Sequence, residues 1–170
     1  MTKPFVAILM GSDSDLPTMK ASADVLRSLE VPFEMKVSSA HRTPVQTHDY
    51  VKDADQRGAV AFICAAGMAA HLAGAVAANT TKPVIGVPIE SSLDGLDALL
   101  STVQMPGGIP VATVAIGKAG AKNAAYLASQ IVAVQDPALA ERIKADRQAN
   151  TDAVIAKDKA LQERLANGEI

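Results

Sequence analysis

Residues 5–15 read Phe-Val-Ala-Ile-Leu-Met-Gly-Ser-Asp-Ser-Asp, an unbroken apolar run followed at once by a loop of small and polar residues. Six consecutive apolar residues are typical of a strand that is covered on both faces of a sheet. After the loop, apolar residues recur at helical spacing, at Leu16, Met19, Ala23 and Leu26. The segment therefore predicts a strand, a loop and a helix in that order.

Further apolar runs repeat this unit along the chain. The second predicted strand alternates in character, with Phe33, Met35 and Val37 separated by Glu34 and Lys36, as expected for a half-exposed strand at an edge of the sheet. The later strands are predicted over Val60 to Ala66, Pro83 to Ile89 and Val111 to Ile116. The second predicted helix runs from Pro44 to about Arg57, where Gly58 ends it. Three further helices are predicted: an Ala-rich one near residues 69–78, one that carries Leu96, Leu99, Leu100 and Val103, and one from Ala119 to Val134.

Strands that alternate with helices predict a parallel sheet, because parallel neighbours need a crossover connection and a right-handed crossover is strongly preferred. We therefore expect an α/β fold, a three-layer αβα sandwich around a central five-stranded parallel sheet of the flavodoxin-like or Rossmann-like kind. Residues 1–170 are expected to form a single domain, with a C-terminal helical extension over about 137–167. In such sheets, ligands bind beyond the carboxyl ends of the strands.

The C-terminal extension begins at Pro137 and carries apolar residues roughly on one stripe, at Leu139, Ile143, Val154, Leu161 and Leu165. Because five strand–helix units are complete before this point, part of the stripe is expected to dock on another copy of the chain. Two alternatives remain open at this stage. The helix can fold back on its own domain, or it can fray after Asn150.

The composition excludes several classes of function. Sixteen basic residues against 18 acidic ones leave a net charge of −2, and aromatic residues make up 3% of the chain, so nothing indicates a nucleic-acid surface. No apolar stretch approaches the ~20 residues that span a bilayer, and the first strand leaves no room for a signal peptide, so a cytosolic location is expected. The single cysteine, Cys64, lies inside an apolar run and is interpreted as a buried structural thiol.

Three loops of small and polar residues follow predicted strands and are expected to meet at one end of the sheet. The loop from Gly11 to Asp15 offers backbone N–H groups, hydroxyls and a helix N-terminus for a phosphate, and a carboxylate for ribose hydroxyls. The second loop places His41, whose imidazole is a side chain suited to proton transfer, beside the fixed charge of Arg42. The third loop runs from Ala65 to His71. Proton transfer and anion binding are therefore expected at this end.

Each candidate also has a purely structural interpretation. Ser14 or Asp15 can simply cap the helix that follows. His41 can be a loop histidine bonded to the backbone, and His71 can be a helix cap. His48 lies within a predicted helix and is interpreted as structural. GxGxxG and Walker patterns do not occur in the first loop, which disfavours dinucleotides and ATP.

Five motifs stand in order along almost the whole chain. They are Gly-Ser-Asp-Ser-Asp at 11–15, Ser-Ala-His-Arg-Thr-Pro at 39–44, Ala-Gly-Met-Ala-Ala-His-Leu at 66–72, Gln-Met-Pro-Gly-Gly-Ile-Pro at 104–110 and Ala-Ile-Gly-Lys-Ala-Gly-Ala-Lys-Asn-Ala at 115–124. Together they resemble the PurE family, the N5-carboxyaminoimidazole ribonucleotide mutases of purine biosynthesis. Several ordered motifs at near-family spacing are far more specific than any one of them.

The resemblance implies an isomerase that moves the substrate carboxylate from the exocyclic nitrogen to ring carbon C4, giving 4-carboxy-5-aminoimidazole ribonucleotide, with neither a metal nor an organic cofactor. By that likeness His41 shuttles the proton between nitrogen and C4, and the loop from Ala66 to Leu72 walls a pocket for CO2. A homo-octamer with active sites completed by neighbouring subunits is also implied. The implied substrate-binding residues are Gly11, Ser12, Ser14, Asp15, Ser39, Ala40, Arg42, Ala66, Gly67, Met68, His71 and Leu72, of which Ser12, Asp15 and Arg42 hold the ribose 5-phosphate portion.

Two departures from the family pattern bear on the CO2 pocket. The usual His-Leu-Pro-Gly reads His71-Leu72-Ala73-Gly74, and Met68 occupies a position that is often smaller. The shape and rigidity of the pocket are therefore left open by the sequence.

Three other functions fit the sequence less well than the mutase. A related carboxylase, which adds free CO2 to aminoimidazole ribonucleotide, typically has Lys in place of Arg42 and lacks the Ala-Ala-His-Leu loop. A phosphoacceptor receiver domain would match Asp13, Asp15 and Lys118, but its acceptor Asp should stand where this chain has Cys64-Ala65-Ala66. A flavin-binding module is disfavoured because the chain has no Trp and few other aromatic residues.

Overall fold

A computed structural model describes residues 4–170 and contains one parallel sheet with strand order β2-β1-β3-β4-β5. Its strands are β1 (Phe5–Met10), β2 (Phe33–Val37), β3 (Ala59–Gly67), β4 (Val84–Ile89) and β5 (Ala112–Thr113). Every neighbouring pair runs parallel. The predicted flavodoxin-like α/β fold is confirmed, and the half-exposed β2 lies at an edge of the sheet as its alternating pattern indicated.

Six α-helices connect and flank the strands. They are α1 (Leu16–Ser28), α2 (Pro44–Arg57), α3 (Leu72–Ala77), α4 (Leu96–Val103), α5 (Gly117–Ala133) and α6 (Pro137–Ala166). The bounds of α2 match the prediction because Pro44 begins the helix and Gly58 ends it with a φ of +100°, a left-handed conformation that glycine adopts without steric penalty.

The core consists of two apolar clusters, one on each face of the sheet. On one face Ile8 and Met10 pack with α1, α5 and the first turns of α6. On the other face Ala7 and Leu9 pack with α2 and α3. Successive side chains of a strand point to opposite faces, so the continuous apolar run of β1 supplies both clusters. The resulting helix–sheet–helix layers place the carboxyl ends of β1, β2, β3 and β4 at one edge.

Two elements are shorter than the sequence predicts. β5 contains two residues rather than six, because it pairs with β4 only at Ile85 and Gly86, and one further bond, from the Val114 N–H to the Gly86 carbonyl, ends the contact. The Ala-rich helix begins at Leu72 rather than near residue 69, because the preceding residues form a loop around the candidate site. The prediction was wrong at both places for the same reason: apolar composition does not show where strand pairing ends or where helical hydrogen bonding begins.

The α6 helix divides into a packed part and a projecting part. Leu139 and Ile143 are buried against the core, and Arg142 donates a hydrogen bond to the Leu29 carbonyl oxygen at 2.9 Å. Every residue from 147 to 170 is exposed, although the helix continues to Ala166. The first part therefore folds back on its own domain, which was one of the two alternatives to docking on another copy. The other alternative, fraying after Asn150, does not occur, because the helix continues to Ala166. The rest of the stripe has no cover from residues 4–170 of its own chain.

Apolar side chains are also exposed on α4 and just before it. Leu93, Leu96, Leu100 and Val103 all face solvent, while Ala98 and Thr102 form the buried side of the helix. Leu16, the first of the helically spaced apolar residues of α1, is exposed as well. Among residues 4–170, no helix is both long enough and apolar enough to cross a membrane.

Candidate active site

The three loops predicted to converge do meet, at the carboxyl edge of the sheet, around a cavity of about 300 Å³. All of the residues that the family resemblance implies for catalysis or substrate binding line it: Gly11, Ser12, Ser14, Asp15, Ser39, Ala40, His41, Arg42, Ala66, Gly67, Met68, His71 and Leu72. Their convergence follows from the parallel sheet, because β1, β2 and β3 are adjacent and all end at the same edge.

The loop between β2 and α2, which carries His41 and Arg42, is held by its own hydroxyl groups. The Ser39 N–H donates to the Thr43 hydroxyl at 3.0 Å, and that hydroxyl donates to the Ser39 carbonyl oxygen at 3.0 Å. The Arg42 N–H donates to the Ser39 hydroxyl at 3.1 Å. Short side chains thus satisfy the turn locally, and the His41 and Arg42 side chains remain free to face the cavity.

The two histidines of the site contact each other directly. Nε2 of His41 lies 2.9 Å from Nδ1 of His71, and the two rings meet edge to face with their centroids 4.9 Å apart. One of the two nitrogens must carry the proton and the other must accept it, so each ring restricts the tautomer of the other. His41 is therefore not a loop histidine bonded to the backbone, and the His71 side chain makes no capping hydrogen bond to α3.

The first loop forms a single turn of 3₁₀ helix capped by Ser12. The Ser12 hydroxyl accepts from the Ser14 N–H, and the Asp15 carboxylate accepts from the Ser12 N–H at 3.2 Å. Neither Ser14 nor Asp15 caps α1 through its side chain. The Asp15 carboxylate instead closes the capping box of the 3₁₀ turn, so the capping interpretation is wrong for α1 and holds only for that turn. Burial raises the pKa of the Asp15 carboxyl above its ordinary value, while its hydrogen bonds with Ser12 and Ser14 oppose that shift.

The third loop brings small side chains to the cavity. Gly67 pairs with Ile89 across β3 and β4, and a Cβ on Gly67 would lie 3.4 Å from the Ile89 carbonyl oxygen. Met68 follows with a φ of +55°. Ala73, which replaces the expected proline, is not a cavity residue but is buried in the first turn of α3. The first turn of a helix accepts either residue, because the N–H groups there have no intrahelical partner.

Three residues that line the cavity were missed from the sequence: Ile89, Glu90 and Ser91. They stand at and just beyond the carboxyl end of β4, which neighbours β3 in the sheet. The rule that assigned the other loops, that a ligand site lies beyond the ends of parallel strands, applies equally to this end. Their residue types gave no signal of their own, because a single Glu among polar loop residues is ordinary.

Two motifs of the family resemblance lie away from this cavity. Gly108 and Pro110 line a larger concavity of about 760 Å³ beyond the amino end of β4, with Lys52 and Lys82 near its rim. A Cβ on Gly107 or Gly108 would meet no atom within 4 Å, so the tip of this loop is unsupported by its own chain. Lys118, at the start of α5, lines a separate shallow groove with Lys20 and Lys122.

The other residues considered from the sequence lie outside the cavity. Cys64 is buried in β3, and desolvation raises the pKa of its thiol. His48 is exposed on α2, 3.0 Å from the Asp49 carboxylate and outside the cavity. Across residues 4–170, no group of three or more His, Cys, Asp or Glu side chains is placed to hold a metal ion. The end of β3 carries alanines rather than an acceptor Asp, which argues against a receiver domain.

Comparison with known proteins gives consistent similarities. The family model for AIR carboxylase matches residues 5–153. The chain is 58% identical over 146 residues to the N5-carboxyaminoimidazole ribonucleotide mutase of Pyrococcus abyssi, covering 85% of this chain and 83% of that protein. It is 53% identical over 154 residues to the enzyme of the same name from Bacillus subtilis, covering 90% and 94%. The crystal structure of Treponema denticola PurE superposes with a TM-score of 0.84 at 31% identity, covering 94% of this chain and 99% of that one.

Proposed function

The chain belongs to the AIR carboxylase family, and on that premise we propose that it is a mutase that converts N5-carboxyaminoimidazole ribonucleotide to 4-carboxy-5-aminoimidazole ribonucleotide in purine biosynthesis. The observation that carries the proposal is the meeting of His41, Arg42 and the Ser12–Asp15 turn with a wall of small residues around one cavity. The relatives at 58% and 53% identity bear the name of this mutase. A cytosolic location belongs to the same proposal.

Arg42 and the first loop bind the ribose 5-phosphate end of the substrate. A guanidinium grips a phosphate with two parallel hydrogen bonds and keeps its charge throughout the accessible pH range. The Ser12 and Ser14 hydroxyls lie beside each other at 2.9 Å and supply further donors. The Asp15 carboxylate would repel a phosphate, so it faces the ribose hydroxyls, which can donate to it.

His41 is the general acid and base. It gives a proton to the carbamate nitrogen, which makes that nitrogen a leaving group and releases CO2 beside an electron-rich aminoimidazole. C4 then attacks CO2, and His41 takes the proton that C4 must lose to restore aromaticity. One imidazole therefore donates the first proton and accepts the second, so no other base is needed. His71, 2.9 Å away, orients the His41 ring between the two steps.

The CO2 pocket is formed by the end of β3 and the start of α3. Ala66 and Met68 contribute side chains without hydrogen-bond donors, Gly67 adds no side chain, and the buried Leu72 also lines the cavity. An uncharged intermediate gains nothing from an ion pair, so a small apolar enclosure is the suitable means of retaining it.

The second candidate is a carboxylase that adds free CO2 to aminoimidazole ribonucleotide. The matching family model is named for this carboxylase activity. Arg42, where carboxylases of the family typically have Lys, and the Ala-Ala-His-Leu loop at 69–72 favour the mutase.

A rate comparison tests the proposal against this alternative. Purified protein is mixed with N5-carboxyaminoimidazole ribonucleotide and, separately, with aminoimidazole ribonucleotide plus bicarbonate, and formation of the C4 carboxylate is followed. We expect the first substrate to react faster by at least ~10-fold at equal concentrations. Faster product formation from aminoimidazole ribonucleotide and bicarbonate would assign the chain to the carboxylase instead.

Replacement of Arg42 by Lys should raise KM about 10-fold and change kcat less than about 3-fold. Lysine keeps the positive charge but loses the two-pronged grip on the phosphate. Steady-state kinetics over a range of substrate concentrations check this. The matched control is Arg27→Lys, because Arg27 is exposed on α1, pairs with Asp24 and lies outside the cavity. An unchanged KM in Arg42→Lys would show that the phosphate binds elsewhere.

We also propose that the chain assembles as a homo-octamer whose neighbouring subunits complete the active sites. The projecting part of α6, residues 147–166, extends roughly 30 Å at 1.5 Å per residue without any cover from its own chain. Isolated helices of this length are marginal in water, so the segment needs a packing surface. The exposed leucines of α4 are a further surface that another copy can cover.

Removal of residues 151–170 should reduce the assembly to smaller species. The cut leaves Leu139, Ile143 and the Arg142 hydrogen bond in place, so the fold of the remaining chain is preserved, whereas a cut at Pro137 would damage its core. Light scattering of both chains at equal concentration gives the masses. A full-length monomer would refute the octamer, and an unchanged, active assembly after truncation would show that the projecting helix does not hold it together.

A further inference from the structure

Met68 adopts a backbone conformation that does not suit its residue type. Its φ is +55°, in the left-handed region that glycine adopts freely and that other residues adopt at a cost. The preceding residue, Gly67, is a glycine but does not occupy this region. A backbone outlier of this kind at a ligand cavity is a reason to look for a function of the side chain.

Within residues 4–170 of one chain, packing leaves more than half of the Met68 side chain uncovered. It is 59% exposed, whereas Leu72 and Ile89, the other long apolar residues of the cavity, are buried. Met68 is thus the one long apolar side chain that lines the cavity and stays exposed, within residues 4–170. Methionine is unbranched and has three rotatable side-chain bonds, so it can move across an opening of a few ångströms.

We propose that Met68 is a lid residue whose side chain closes the CO2 pocket over the bound substrate. The inference rests on the mutase function proposed above. Met68 lies in the same cavity wall as Ala66 and Gly67, with His71 three residues further along the loop. The Met68 side chain lines the cavity and is 59% exposed, so a large flexible residue stands between the cavity and solvent at a position where glycine would be unstrained.

The lid changes the proportion of released CO2 that is captured by C4 rather than lost from the pocket. After His41 protonates the carbamate nitrogen, CO2 either is attacked by C4 or escapes, and escape leaves aminoimidazole ribonucleotide as a side product that keeps the added proton on nitrogen. A side chain over the opening slows escape and keeps water out. The measured quantity is therefore the ratio of aminoimidazole ribonucleotide released to C4-carboxylated product formed, in buffer freed of CO2, after subtraction of a blank without enzyme.

Three substitutions separate the lid from the backbone conformation. Met68→Leu keeps the apolar bulk and the left-handed backbone, so its ratio should match that of the wild type. Met68→Ala keeps the backbone conformation but removes the bulk, and Met68→Gly removes both the bulk and the conformational cost. We expect the released fraction to rise roughly threefold or more in both of the last two variants, with thermal unfolding showing that each variant is folded.

Unchanged ratios in folded Met68→Ala and Met68→Gly would overturn the proposal. A rise in Met68→Gly alone would also overturn it, because the backbone conformation rather than the side chain would then be responsible. The wild-type enzyme is assayed first on N5-carboxyaminoimidazole ribonucleotide. A wild type that makes no C4-carboxylated product from it overturns the mutase function itself, which distinguishes that failure from the failure of the lid.

Discussion

Replacement of His41 by Asn should lower kcat by about 10²-fold or more while leaving substrate affinity within a few-fold of the wild type. A positioned proton-transfer group contributes on this scale, and Asn can hydrogen-bond but cannot exchange a proton at neutral pH. The geometry supports the assignment, because His41 lies in the cavity beside Arg42 and contacts His71 at 2.9 Å. Single-turnover and steady-state assays separate the chemical step from binding.

His48→Asn is the matched control for this experiment. His48 lies in the next helix along the chain, is exposed, and contacts Asp49 rather than any residue of the cavity. The same chemical change there should leave kcat and KM within about 2-fold of the wild type. Turnover near the wild-type value in His41→Asn would remove His41 from the mechanism, whatever the control shows.

Replacement of Gly120 by Ala should lower the free energy of unfolding by about 3 kcal/mol or more. Gly120 is buried in α5, and a Cβ built on it overlaps the carbonyl oxygen of Ala115. The obstacle is backbone rather than a flexible side chain, so the turn between β5 and α5 must move to make room. The apparent unfolding midpoint should fall by about 6 °C or more, measured at one chain concentration since assembly contributes to it.

Gly107→Ala is the control for that substitution. A Cβ at Gly107 meets no atom within 4 Å and its φ is not positive. Alanine there should be neutral, or stabilising by up to about 1 kcal/mol through the reduced freedom of the unfolded chain. If Gly120→Ala proved as stable as Gly107→Ala, the close approach of Ala115 to α5 would not exist in solution.

Local signals predicted the first half of the fold well. β1 and β2 have the predicted bounds because their apolar patterns end at polar or loop-forming residues, and α2 is fixed by Pro44 at its start and Gly58 at its end. β5 and α3 were overestimated, since their apolar residues continue past the point where pairing or helical bonding stops. That point depends on the neighbouring strand and on the cavity, and neither is visible in a local window.

The site was predictable to the extent that loop positions follow from topology. Parallel strands bring the Ser12–Asp15, Ser39–Arg42 and Ala66–Leu72 segments together, so their convergence required only the fold. The contact between His41 and His71 was not predictable, because it depends on side-chain directions across 30 residues. The division of α6 was equally hidden, since one continuous stripe of apolar residues does not reveal where the helix leaves the domain.

If the carboxylate moves within one enclosed site, an isotopic label in it should be retained in the product. N5-carboxyaminoimidazole ribonucleotide labelled with ¹³C in its carboxylate is converted by the wild-type enzyme in excess unlabelled bicarbonate, and the label in the C4 carboxylate of the product is measured at early times. We predict that most of the product retains the label, because the released CO2 is captured before it leaves the pocket. A product whose C4 carboxylate has the isotopic composition of the bulk bicarbonate would contradict the mutase.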